Sequence, residues 1–295
     1  MTTRPLVSLC FLIAAVLLAG CDTESRQSAQ LDSERAHASW RGDGVPQDHA
    51  EAVRLFMRAA EQGHAESQFS LGVAYAKGNG VDQNHAEAMR WWRLAAHQGH
   101  VEAQFNMGVY YASGKGVRQD PAEAMRWWSL AAEQGDARSQ FNVGVGYDNG
   151  KGVSQDEAEA ARWYHLAAQQ GDSEAQYTLG VAYAKGRGVV QDHADAVRWW
   201  RLAAEQGHTV AQYNLGLHYV QGKVVRQNHA EAARWWRLAA EQGHASSQYN
   251  LGVCYYKGEG VHQDDAEAVR WFRRSSEQGH AGAQEALRAL AADAQ

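Results

Sequence analysis

The sequence predicts an all-α fold, a solenoid of αα-hairpins, and three observations carry that prediction. Gly63, Gly99, Gly135, Gly171, Gly207, Gly243 and Gly279 recur at a fixed interval of 36 residues. Between them, apolar residues fall at three- and four-residue steps, the period of a helix face. The stretch from Asn84 to Gly99, with its Trp91-Trp92 doublet and Ala95-Ala96 pair, returns barely altered in each copy. One helix pair cannot bury such faces alone, so a fixed period implies that neighbouring copies stack.

Each element of the unit has its own signal. From His64 onward, Ala65, Gln68, Phe69, Gly72, Tyr75 and Ala76 form one face of a first helix. Gly78 ends it, because glycine tolerates the left-handed conformation after a last turn. Gly78-Asn79-Gly80-Val81 is then a tight connection with Val81 as its apolar plug. The second helix opens at Asn84, whose side chain can cap the first turn, with Glu87 placed to complete a capping box. The pair recurs as Asp48/Glu51, Asp120/Glu123, Asp156/Glu159, Asp192/Asp195, Asn228/Glu231 and Asp264/Glu267. Pro121 directly after Asp120 marks the same boundary, since proline costs nothing at a first helical position. Ala88, Trp92, Ala95 and Ala96 make the packing stripe. Arg90 and its counterparts, present in every copy, are expected to stack or pair between units.

Composition agrees with a packed solenoid. Hydrophobic content of 45% and aromatic content of 10% exclude global disorder. The net charge is −6, and no basic run exists to neutralise phosphates, which argues against a nucleic-acid partner. Residues 1–20 differ from all that follows. Arg4 precedes a nearly unbroken apolar run from Leu6 to Ala19, too short to span a bilayer and suited to a secretory signal. Residues 21–33 read as a flexible tether and 34–295 as the repeat array, with Ser33 to Trp40 a degenerate N-terminal cap. Of three cysteines, Cys10 lies in the signal, leaving Cys21 and Cys254, so no disulfide framework is expected.

Two resemblances add to this reading. Leu18-Ala19-Gly20-Cys21 resembles a bacterial lipobox, which implies that Cys21 is lipidated and becomes the new N-terminus. An ordinary cleavable signal with an incidental cysteine is the alternative. The lipobox implies a cell-envelope protein held at a membrane by its lipid and facing the periplasm, with Asp22 slightly favouring the inner membrane. The repeat itself, Ala-x-x-Gln-x-x-Leu-Gly, Gly-x-Gly-Val-x-Gln-Asp and Ala-x-x-Trp-Trp/Tyr-x-x-Ala-Ala, resembles Sel1-like repeats, relatives of the tetratricopeptide repeats. It covers about Ser39 to Ala291 in seven copies and implies a right-handed superhelix. Departures include Gly222-Lys223-Val224 in one loop, Trp163-Tyr164 and Trp271-Phe272 for the doublet, Ser275-Ser276 for the alanine pair, and Arg288 at a glycine position.

A search for chemistry finds little. Most of the 14 histidines occupy two repeat columns, His49, His85, His193 and His229 in one, and His64, His100, His208, His244 and His280 in the other. No His-Glu-x-x-His and no clustered Cys/His spacing appears, so no metal site is expected. Gly114-Lys115-Gly116 and Gly150-Lys151-Gly152 are loop copies without a phosphate-loop frame. No catalytic residue, cofactor or small-molecule substrate is expected, and the function is read as non-enzymatic. The Sel1 resemblance implies one alternative, a β-lactam- or cell-wall-directed enzyme of the cysteine-rich type, although the paired cysteines and any Ser-x-x-Lys are missing. A surface or secreted factor that binds host proteins is another.

Columns that vary between copies are free for a partner. On the first helices the varying strip reads Ser70-Ala74-Lys77, Asn106-Tyr110-Ser113, Asn142-Gly146-Asn149, Thr178-Ala182-Lys185, Asn214-His218-Gln221 and Asn250-Cys254-Lys257. The resemblance implies that this strip lines the concave surface. Its leading residue is asparagine in four copies of six, and an amide offers both donors and an acceptor to a peptide backbone. Asn106, Tyr110, Asn142, Asn214, His218 and Asn250 are therefore the partner-binding candidates, for a protein or extended peptide. A polar solvated face, or asparagines bonded to neighbouring repeats, is the alternative.

Overall fold

The computed structural model describes residues 24–293, and all regular structure among them is helical. Helix α1 covers 24–41. It is followed by α2 (His49–Glu61), α3 (Ala65–Lys77), α4 (His85–His97), α5 (Val101–Ser113), α6 (Pro121–Glu133), α7 (Ala137–Asn149) and α8 (Glu157–Gln169). Then come α9 (Ser173–Lys185), α10 (His193–Glu205), α11 (Thr209–Gln221), α12 (His229–Glu241), α13 (Ala245–Lys257), α14 (Asp265–Glu277) and α15 (Ala281–Asp293). Odd-numbered helices are the first members of the hairpins and even-numbered helices the second. The described residues divide into two compact units, 24–139 with 151–153 and 140–150 with 154–293. No described helix is long and apolar enough to cross a membrane. The signal and Cys21 lie outside the described residues.

The helix boundaries follow the capping chemistry, with one correction. The Asn84 side-chain oxygen accepts from the amides of Ala86 and Glu87, and Asp120, Asp156 and Asp192 do the same in their copies. The reciprocal half of the expected capping box does not form. The Asn84 amide already donates to the Tyr75 carbonyl at 2.9 Å, which locks the start of α4 to the end of α3. Glu87 therefore turns to Arg90, at 3.2 Å, and the same pairing holds Glu51 to Arg54 and Glu159 to Arg162. The arginine column thus pairs within its own helix rather than between units. Its guanidinium also lies over the neighbouring Trp91, Trp127, Trp199 and Trp235 rings. Such exposed pairs contribute little stability.

The tryptophan doublet divides its work between two interfaces. The second ring seats on the first helix of its own pair: Trp92 Nε1 donates to the Phe69 carbonyl at 3.1 Å, and Trp200 and Trp236 bond Tyr177 and Tyr213 likewise. The indole lies so close to Gly72 that a Cβ there would overlap it, which is why this column is glycine. The first ring reaches back into the preceding pair. Trp91 packs with Phe56 and Leu71, Trp127 with Met89, Trp92 and Met107, and Trp271 with Trp236 and Leu251. Alanines 95 and 96, buried, let the backbones come close enough for this. Each buried indole is worth about 3–5 kcal/mol against alanine.

The expected tether is corrected for 24–33. These residues open α1, and Ala29, Asp32, Ser33 and Ala36 are buried against the next helices. Asp32 receives Arg58 Nη2 at 3.0 Å, which explains why Arg58 stands where inner copies have leucine. The first copy is a full helix pair whose first helix docks through small residues and one ion pair.

Candidate functional site

The varying strip on the first helices has three layers of exposure. Its leading residues, Ser70 and Asn106 in the first unit and Asn142, Thr178, Asn214 and Asn250 in the second, are partly buried. Its last residues, Lys77, Ser113, Asn149, Lys185, Gln221 and Lys257, are exposed. The middle position is packing space. Ala74, Gly146, Ala182 and Cys254 are buried there, while Tyr110 and His218 wedge against the second tryptophan of the preceding pair. Tyr110 meets Trp92 edge-on with ring centroids 4.8 Å apart, and His218 lies 5.3 Å from Trp200.

These contacts set the electrostatics. Burial raises the Tyr110 phenol above its ordinary value. Burial, helped by the nearby His193, lowers the His218 imidazole and keeps it neutral near pH 7. Burial also pushes the Cys254 thiol up to about 11, and it is a free, buried cysteine. Of the six candidates, Asn106 and Tyr110 share one face of α5, and Asn214 and His218 one face of α11. Asn142 and Asn250 hold the corresponding place on α7 and α13. The Asn214 amide faces the hydroxyl of Tyr177 on α9 and opposes the rise that burial imposes on that phenol. That asparagine is thus tied to a neighbouring repeat.

Sequence reasoning passed over two groups near the strip. In the second unit, Arg187 bonds Asp148 at 2.6 Å and Glu157 at 3.3 Å, with the Tyr164 hydroxyl 3.5 Å from Asp148. This cluster borders Thr178 and Ala182. The signal was a coincidence of changes, since Tyr164 stands where four inner pairs have tryptophan and Asp148 where Ala76, Ala112 and Ala184 stand in other copies. In the first unit, Ser70 borders a hollow of about 170 Å³ lined by His37, Trp40, Phe56 and Phe69.

The histidine column that begins at His64 is structural. His64 Nδ1 accepts the Ser67 amide at 3.2 Å, and His100, His208, His244 and His280 cap α5, α11, α13 and α15 in the same manner. Their rings stack on the preceding first helix, as His100 does on Phe69 and His208 on Tyr177. Asp136 and Asp172 take the same cap on α7 and α9, at 2.7 and 2.8 Å. Among the described residues no three His, Cys, Asp or Glu side chains gather as a metal site.

Comparison with known proteins places this architecture. A protective antigen present in uropathogenic Escherichia coli strains, whose crystal structure displays an SLR fold, is 40% identical with a TM-score of 0.85. The alignment covers 89% of this chain but 56% of that one, so this chain spans little more than half its length. A Sel1 repeat protein from Oxalobacter formigenes is 34% identical with a TM-score of 0.74, over 89% of this chain and 76% of that one. No protein with curated function matches. Sel1 repeats match residues 33–64, 65–100, 101–136, 137–172, 173–208, 209–244 and 245–280. Helix pairs, glycine contacts and seven contiguous matches agree: the chain belongs to the Sel1 repeat family.

Proposed function

We propose that this chain is a non-enzymatic scaffold of the bacterial cell envelope, anchored through a lipid on Cys21, that holds a protein or extended peptide along its first-helix strip. One observation carries the reading. Two repeated polar columns are spent on the fold, the His64 column on caps and the Gln68 column on buried bonds, whereas the asparagine-rich column remains partly open to solvent. Extended peptides are gripped by such ladders of side-chain amides at regular spacing. Asn142 and Asn250 are the strongest contacts, because Asn214 already serves Tyr177.

A nucleophilic enzyme is the less supported reading. The one cysteine among the described residues is buried and its thiol is held protonated. Photo-crosslinking from position 250 in living cells tests the scaffold directly. A discrete crosslinked protein is expected, and none from the exposed position 241 on α12. Covalent labelling by a fluorescent penicillin would overturn the non-enzymatic reading. For the anchor, Cys21→Ala is expected to release the protein from membranes and abolish lipid labelling.

A further inference from the structure

One loop breaks the repeat where the break opens a cleft. In five other loops the second glycine, such as Gly188 and Gly260, presses on the backbone that starts the preceding second helix. A Cβ on Gly188 would fall on the Glu157 carbonyl, and one on Gly260 on the His229 carbonyl. Val224 occupies this column in the loop after α11. A valine cannot make that approach, and Val224 and Val225 pack instead against the apolar cluster that holds Val197. The result is a cleft of about 410 Å³ whose apolar wall is Val197, Leu202, Val224 and Val225. That volume lies within the range of sites that take a peptide side chain or a small ligand, about 300–1,000 Å³.

Leu202 on this wall belongs to a recurring column. Leu94, Leu130, Leu202 and Leu238 are between 38% and 44% exposed, yet the column keeps leucine in every inner copy. The charge around the cleft is lopsided. Arg201 bonds only the Tyr219 hydroxyl, at 3.0 Å, and Arg198 shares Asp195 at 3.3 Å. Lys223 and Arg226, both exposed, flank the two valines in sequence. Among the described residues no carboxylate lies within ion-pair distance of Arg201, Lys223 or Arg226. Glu205 is the single acidic side chain on the cleft.

We infer that this cleft on α10 and the α11–α12 loop is a second docking site, for an acidic linear peptide that inserts an aliphatic side chain. The aliphatic group covers Leu202 and Val224, and flanking carboxylates meet Arg201, Lys223 and Arg226. This site is independent of the first-helix strip, so either assignment can fail without the other.

The test uses the full chain and a fluorescein-labelled dodecapeptide with a Leu-Leu pair between Glu-Asp pairs, read by fluorescence anisotropy. Saturable binding is expected, weakened at least tenfold when the leucines become serine or the acids become lysine. Val224→Gly restores the family loop and is expected to close the cleft, lowering affinity at least fivefold while the melting temperature holds or rises. Leu202→Asp, at an exposed position, is expected to weaken binding similarly without unfolding the chain. Absence of binding to the unaltered chain overturns the assignment, as does equal binding by the Val224→Gly and Leu202→Asp variants. Tighter binding to phosphatidylglycerol vesicles than to the peptide, insensitive to Val224→Gly, would also overturn it.

Discussion

The Gln98 side-chain amide donates to the Gln68 side-chain carbonyl at 2.8 Å, across 30 residues of sequence. Gln68 in turn donates to the Ala60 carbonyl at 3.0 Å, so one buried amide ties α2, α3 and the end of α4. The pattern recurs as Gln104 with Gln134 and Ala96, Gln176 with Gln206 and Ala168, and Gln248 with Gln278 and Ala240. Removing Gln248 breaks two hydrogen bonds at once, its donation to the Ala240 carbonyl, which keeps the Gly243 amide, and its acceptance from Gln278. Gln248→Ala should therefore cost about 1–3 kcal/mol. A double-mutant cycle with Gln278→Ala, read by urea denaturation, should show a coupling of about 0.5–1.5 kcal/mol. Additive losses would mean the ladder is incidental.

Gly216 and Trp236 are a matched pair, because a Cβ on the glycine would overlap the indole. Gly216→Ala should cost about 1–3 kcal/mol through overpacking, despite alanine's better helix propensity. Pairing it with Trp236→Phe, a ring that Phe272 already places over Gly252, should recover part of the loss. Thermal melting of the two variants decides this.

The histidine caps make stability fall with acid. Burial, the leading cause in each, lowers the His64 and His244 imidazoles, with Glu66 opposing it at His64. Burial lowers His37 as well, against the pull of Glu66. The unfolded chain thus takes up protons at a higher pH than the fold does. The stability is present in full above the unfolded value of about 6.5 and is lost as pH falls below it, toward the depressed folded values. A protonated Nδ1 also cannot accept the Ser247 amide. The melting temperature should drop between pH 7 and pH 5, and less so in His244→Asp, which copies the Asp172 cap.

Cys254 reports on the tightness of its repeat. Buried, with its thiol pushed up to about 11, it should react with a disulfide reagent orders of magnitude more slowly in the folded chain than in urea. Chains carrying Cys10→Ser and Cys21→Ser isolate its signal. Rapid labelling under native conditions would mean that α13 opens readily.

Much of this was legible in the sequence because the fold is periodic. Pro121 after Asp120 fixed a boundary, and the Gly72 column anticipated close approach. The histidine caps were not read, since histidine is outside the usual cap set, although Asp136 and Asp172 in the same column carried the signal. The start of helix α1, 24–33, was taken for tether because its buried face is Ala29, Asp32 and Ser33, without an apolar stripe. The arginine column looked like an inter-unit device because every copy has it, yet Glu87 three residues earlier was a sufficient local partner. The site candidates were found by variation alone. Variation could not separate Asn214, which a neighbouring tyrosine occupies, from Asn142 and Asn250.

The division between an invariant wall and a variable strip is tested most directly by partner capture from an Asn142→Leu, Asn250→Leu double variant, with melting measured in parallel. Capture of the crosslinked partner should fall at least tenfold, while stability stays within about 0.5 kcal/mol per site, as for other surface positions. Undiminished capture by a fully folded double variant would contradict the assignment of recognition to the strip.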